Sequence, residues 1–239
     1  MRDIIDDTIS KYDNKYNSGV NKEILKNVIL KLVEKFPKPN QTHLMICIGG
    51  LPGSGKTEWG KRIFKKKDFF IIDPDEYRKV FFLDNDACVN ATEYIQLTQA
   101  VMCVIGFSIL EIAIQKKVNI VVMDVFTDVN IWKSFFKGNN LKEYKKYFVL
   151  LAQPLGLCEF LMELRYKKDF KINKKTARIP DNNFLTSEAK ELGKSIMSYK
   201  SDSVFEKIYL LTRRDIDVPY EKEATEFTLN KWKEITFNN

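Results

Sequence analysis

A lysine, a threonine and a few aspartates at set spacings mark where this 239-residue sequence could do chemistry. "GLPGSGKT" at 50–57 fits G-x-x-x-x-G-K-[ST]. A loop of this kind wraps a polyphosphate: Gly50, Gly53, Ser54 and Gly55 would turn backbone N–H groups inward, and the glycines permit the close approach. Lys56 would reach the β- and γ-phosphates and Thr57 would ligate magnesium, so the expected cofactors are ATP and Mg2+. Two further stretches, "IIDPDEYRK" at 71–79 and "VVMD" at 121–124, end apolar runs in carboxylates. In an open α/β sheet such strand ends face the ligand crevice, which places Asp73 or Asp75, and Asp124, near the γ-phosphate. One carboxylate could accept the proton of an attacking hydroxyl while another holds magnesium or substrate. For Asp73 an ordinary helix cap is the favoured reading; for Asp75 and Asp124 it is function. Arg78 either binds substrate or pairs with a surface acid.

Other chemistries find little support. His43 is the single histidine, which argues against His-rich metal sites and Ser–His–Asp systems. There is no G-x-S-x-G elbow and no protein-kinase H-R-D or D-F-G set. Cys47, Cys88, Cys103 and Cys158 are far apart, without zinc spacing, and read as reduced, buried thiols. The start, "MRDIIDDTIS", lacks the basic-then-apolar order of a signal peptide, and the near-apolar run "VMCVIGFSIL" is too short to span a bilayer. A cytoplasmic protein with no membrane association is expected. The formal net charge of +7 invites a nucleic-acid reading, but the excess is local: Arg165 to Arg178 holds seven Lys or Arg against one acid, Asp169.

The elements that must position these residues follow from periodicity. Residues 21–36 put Ile24, Leu25, Val28, Leu32, Val33 and Phe36 on one helix face, closed by "PKP". Five strands are predicted at 43–49, 68–72, 118–124, 146–152 and 206–212, separated by helical stretches. This alternation, with strands apolar enough for burial on both faces, predicts an α/β P-loop kinase-like three-layer fold around a five-stranded, mainly parallel sheet. The expected division is an N-terminal helical extension (1–40), a kinase domain (41–215) carrying a basic lid (165–180), and a C-terminal tail with a helix (216–239).

With these elements in place the chain resembles the zeta toxins, P-loop kinases of bacterial toxin–antitoxin systems that phosphorylate UDP-N-acetylglucosamine on a sugar hydroxyl. The resemblance runs from about Leu44 to Tyr209. It is carried by "GLPGSGKT", "IIDPDEY" and, most specifically, "RYKKDFKINKKTARIP" at 165–180. In the family an Arg-Tyr pair leads through a polar lid to a Thr-Ala-Arg or similar triplet and a proline, here Arg165–Tyr166, Thr176–Ala177–Arg178 and Pro180. The resemblance implies phosphoryl transfer from ATP to a hydroxyl of a UDP-sugar or related nucleotide-linked molecule. Lys56 and Thr57 would serve ATP and magnesium, Asp75 would be the general base, and Arg165 and Arg178 would clamp the transferring group. Asp124 matches a position where the family usually has a Glu touching the sugar; it is also a candidate metal ligand beside Thr57. The family's "EGTGR"-like continuation is "DVFTD" here, with Phe126 replacing a small residue in the expected substrate wall. An antitoxin protein is the partner implied, with nucleic acid ranked behind a nucleotide-sugar.

Two other readings compete. Polynucleotide 5′-hydroxyl kinases are similar in "GxPGSGK", in a tryptophan matched by Trp59, and in "DEYR", where Arg78 would hold a substrate phosphate. A nucleotide-binding protein without transferase activity is the third reading, and it would need a catalytic group to be missing.

Overall fold

A computed structural model of the chain describes residues 2–39, 41–65, 68–83, 91–138, 141–172, 182–213 and 225–237. Its frame is set by the odd–even alternation of strand side chains. On β1 (Leu44–Gly50), Met45 and Cys47 enter one apolar cluster while Ile46 and Ile48 enter another. The same alternation holds on β3 (Ile120–Met123) and β4 (Lys145–Ala152), so both faces of the sheet are buried. With β2 (Phe70–Ile72), β5 (Lys207–Thr212) and β6 (Thr225–Glu226), the strand order is β2-β3-β1-β4-β5-β6. The first five are parallel, as the sequence predicts. The sixth was not expected: a two-residue antiparallel edge on β5, too short to carry a strand pattern.

Helices cover both faces. On the side of Ile48 and Met123 lies α3 (Lys56–Phe64), with Phe64 buried and Trp59 packed at its edge. The opposite face carries the larger core, to which α1 (Arg2–Tyr16), α2 (Lys22–Val33), α4 (Ala91–Gln115), α5 (Val129–Gly138), α7 (Asn182–Ser201) and α8 (Leu229–Phe237) contribute. Between β4 and α7 runs α6 (Leu155–Ile172), and a 3₁₀ turn (Pro74–Leu83) follows β2. The N-terminal helices brace α4: Tyr12 and Tyr16 stack on Phe107, and Glu111 accepts both Lys11 Nζ at 2.7 Å and Tyr12 Oη at 2.6 Å.

The expectation that no segment is long enough to cross a membrane needs correction. The run "VMCVIGFSIL" lies within α4, whose stretch Ile95–Gln115 is, at 21 residues, long and apolar enough to do so. Here 72% of its most apolar 18-residue window is buried inside the fold. The sequence reading stopped at Glu111, which the structure keeps within the helix by pairing it with Lys11 and Tyr12. Cys47, Cys103 and Cys158 are buried free thiols, and Cys88 lies outside the described residues.

Candidate active site

Parallel strands deliver their C-terminal ends to one edge of the sheet. The residues that follow β1, β2, β3 and β4 there are the glycine-rich loop, Asp73, Asp124 and Gln153. Each follows an apolar strand, so polarity begins where the sheet stops.

The loop after β1 takes a conformation that needs its glycines. Gly53 has φ +82°, and a Cβ there would stand 2.4 Å from the carbonyl oxygen of Cys158 on α6. Gly55 has φ +78° and is the N-cap of α3, with no side-chain capping bond, so the first N–H groups of that helix are open to an anion. Gln153 secures the loop from behind, its Nε2 donating to Gly53 O at 3.0 Å. Lys56 is folded across the loop, donating to Gly50 O at 2.7 Å and Leu51 O at 3.0 Å. Burial drives its ammonium below the usual lysine range, and Asp75, Asp124 and Asp73 oppose that drift. Three carboxylates thus favour the charged form of one lysine.

These carboxylates have different surroundings. Asp73 is buried, and its Oδ2 accepts the Thr57 hydroxyl at 2.8 Å. Burial raises its pKa, while the Thr57 bond lowers it. The helix-cap reading of Asp73 is therefore incomplete: its backbone carbonyl does accept Glu76 N–H, but its side chain points to the P-loop threonine. Asp124 Oδ1 accepts the N–H of Val125 at 2.8 Å, and burial pushes its carboxyl up to about 6. Asp75 is about half exposed, and Arg78 Nε donates to its Oδ1 at 2.7 Å. Arg78 is buried and pairs with Asp75, an acid that is itself exposed.

A cleft of about 100 Å³ opens between the sheet edge, α4 and α5. Ile72, Met102, Phe107 and Trp132 give it apolar walls, and Gln99 and Asp124 bring polar atoms to it. Phe126 takes no part in that wall. With φ +64° its ring turns into the core, 1% exposed, and packs against Trp132 and Phe148. The backbone there is left-handed, a conformation normally favoured by glycine, and the ring expected in the substrate wall is in the core instead.

Of the two lid arginines, Arg165 alone is among the described residues. Arg165 is exposed on α6 and lies 3.4 Å from Asp169, seven residues (about 10 Å along the helix) beyond the Cys158 that touches the loop. Arg178, with Thr176, Ala177 and Pro180, lies outside the described residues. Glu188 was not foreseen. It is half-buried on α7, accepts Thr127 Oγ1 at 3.1 Å, and has its pKa raised by burial with Lys56 among the opposing charges. Nothing in its helical stretch distinguishes it from the neighbouring surface acids.

The residues present fit ATP and magnesium. A capless helix start, a loop that tolerates no side chain at Gly53, a lysine ready to exchange carbonyls for phosphate, and a hydroxyl beside a carboxylate match what a nucleotide-bound magnesium requires.

A family model described as Zeta toxin matches residues 27–225. No curated protein matches in sequence. Among solved structures, a chain from the PezAT chromosomal toxin–antitoxin system of the human pathogen Streptococcus pneumoniae is similar in fold, with a TM-score of 0.71. The match is 19% identical and covers 91% of this chain and 88% of that one. A chain of the AvrRxo1-ORF1:-ORF2 complex with ATP has a TM-score of 0.57 at 11% identity, covering 94% of this chain and 76% of its own. At these identities the likeness concerns the fold.

Proposed function

Because the chain belongs to the zeta toxin family, we propose that it is an ATP- and Mg2+-dependent phosphotransferase whose acceptor is a hydroxyl of a UDP-sugar or related nucleotide-linked small molecule. The observation that carries the reading is a P-loop lysine acted on by the charges of Asp73, Asp75 and Asp124, the last of which also lines an apolar cleft. A cleft of that lining suits a ring bearing hydroxyls, and a half-exposed carboxylate next in the chain to the lining residue Pro74 suits proton acceptance. ATP in the AvrRxo1-ORF1:-ORF2 structure supports the cofactor, and the PezAT system supports an antitoxin as protein partner.

In this reading Gly50, Gly53, Ser54 and Gly55 bind the phosphates through backbone N–H groups, and Lys56 leaves the carbonyls of Gly50 and Leu51 to take a phosphate oxygen. Bound magnesium neutralises charge on the phosphates. Thr57 would hold it, with Asp73 beside it and Asp124 as the alternative carboxylate. Asp75 accepts the acceptor's proton, and Asp124 meets the acceptor in the cleft. Arg165 and Arg178 would add positive charge to the transferring group from the basic segment.

The test is incubation with γ-labelled ATP and, in parallel, UDP-sugars, NAD and 5′-hydroxyl oligonucleotides. Label on a nucleotide-linked small molecule is expected. Label on the oligonucleotide alone would transfer the reading to a polynucleotide 5′-hydroxyl kinase, and label on nothing, with ATP still bound, to a binding protein.

A further inference from the structure

Arg78 is the only arginine buried among the described residues, and all three of its guanidinium nitrogens are engaged. Nε donates to Asp75 Oδ1 at 2.7 Å. Nη1 donates to Ile95 O and Thr98 Oγ1, both at 3.3 Å, and Nη2 to Gln99 Oε1 at 2.8 Å. Three of these four acceptors belong to α4. Gln99 also lines the cleft, next along the helix face to Cys103, whose Sγ its Nε2 approaches at 3.8 Å.

We propose that Arg78 is a positioning residue: it fixes the Asp75 carboxylate, next in the chain to the cleft-lining Pro74, and ties it, through Gln99, to the cleft-lining face of α4. It does not hold an acceptor phosphate. The inference rests on reading Asp75 as the base. A guanidinium with 8% side-chain exposure is tolerable only while its planar fork is filled. To grip a phosphate, Arg78 would have to give up bonds to Asp75, Thr98, Gln99 and the Ile95 carbonyl that now fill its fork. Its charge is used instead on a carboxylate that must point in one direction. The consequence for substrate class is direct. The acceptor hydroxyl is recognised on a neutral ring against Ile72, Met102, Phe107 and Trp132, with no adjoining phosphate read at this point. The 5′ end of a nucleic acid, which offers such a phosphate, would meet an arginine already committed.

The experiment compares wild type with Arg78→Gln, Arg78→Lys, Asp75→Asn and the Asp75→Asn/Arg78→Gln double variant. Turnover is read with Mg-ATP and three acceptors: UDP-N-acetylglucosamine, a 5′-hydroxyl oligonucleotide, and water through phosphate release. For a residue acting only by orienting the base, Arg78→Gln lowers kcat about a hundredfold and leaves both KM values within about threefold. Arg78→Lys, which keeps the charge and loses the fork, recovers only part. In the Asp75→Asn background, Arg78→Gln has no further effect, because what it positions is gone. A rise in acceptor KM at unchanged kcat, or losses that multiply in the double variant, would overturn the proposal. The same four variants are melted in parallel. A double-variant loss in Tm equal to the larger single loss supports the pairing, and additive losses refute it. If none of the three acceptors turns over, the kinase reading fails, and the melting series still decides whether Arg78 holds Asp75.

Discussion

The Thr57 hydroxyl, on the first turn of α3, donates to the carboxylate of Asp73 at the end of β2 across 2.8 Å. This contact joins two elements 16 residues apart and sets a hard anionic oxygen beside the one hydroxyl that the P-loop offers a cation. Asp73→Asn keeps an acceptor for Thr57 and removes the charge. The concentration of magnesium giving half-maximal phosphate release is expected to rise about tenfold or more, since ligands and their supports carry effects of 10- to 100-fold. A magnesium titration at saturating ATP checks this, and an unchanged midpoint would return the role to Asp124.

Lys56→Ala should remove phosphoryl transfer while preserving the fold. The side chain's bonds run to two loop carbonyls and to no distant element, so little else depends on it. Removing it gives up the attraction of Asp75, Asp124 and Asp73 but also the larger burial penalty on its ammonium. Circular dichroism should match wild type and labelled transfer should fall to background; undiminished transfer would remove the P-loop from the chemistry.

Asp124 gives stability and activity opposite pH trends. Its carboxyl titrates near 6 in the folded chain against an ordinary value of 3.8. Folding therefore favours the protonated form, so the stabilisation is complete below about pH 4 and is lost as pH rises through 6. Burial raises Asp73 and Glu188 in the same direction. Urea unfolding between pH 4 and 7 should show a decline, with up to about 3 kcal/mol from Asp124, and Asp124→Asn should flatten that share. If the ionised form meets the acceptor, kcat/KM instead climbs through pH 6. A pH-independent urea midpoint in wild type would contradict the buried carboxyl.

Gly53→Ala and Gly55→Ala should differ although both have positive φ. At Gly55 an added methyl meets nothing within 4 Å, leaving a backbone cost of about 1 kcal/mol. At Gly53 it meets the Cys158 backbone oxygen at 2.4 Å, so the loop must also move away from α6. Nucleotide affinity should fall at least tenfold more for Gly53→Ala than for Gly55→Ala, measured by calorimetry with an ATP analogue. Equal losses would mean that α6 does not set the loop's shape.

Local pattern made much of this legible. The strand, glycine-rich loop and helix around Lys56 are contiguous, and each of the first five strands is an apolar run bounded by polar residues, so their existence and parallel direction could be read directly. What the sequence hid depends on partners far along the chain. Asp73 looks like a cap because its carbonyl is local, while its carboxylate is committed to Thr57. Arg78 looks like a surface or substrate arginine because three of its four acceptors lie 17 to 21 residues away on α4. Gln153 carried a usable signal, a polar side chain directly after the buried end of β4, whereas Glu188 carried none. Phe126 misled through its size, since the turn of one backbone angle decides which side of the sheet edge receives the ring.

The burial of α4 also bears on how the chain is made. Ribosomes release residues in order, and an emerging 21-residue apolar helix presents the same surface to targeting factors as an anchor segment does. Here α1, α2, β2 and the 3₁₀ turn, which all touch α4, lie upstream of it. Much of its covering is therefore outside the exit tunnel before the helix itself appears, and Glu111 arrives near its end to meet Lys11 and Tyr12 already in place. Moving residues 2–36 to the far end of the chain by circular permutation would keep every contact and reverse that order, leaving the helix uncovered during synthesis.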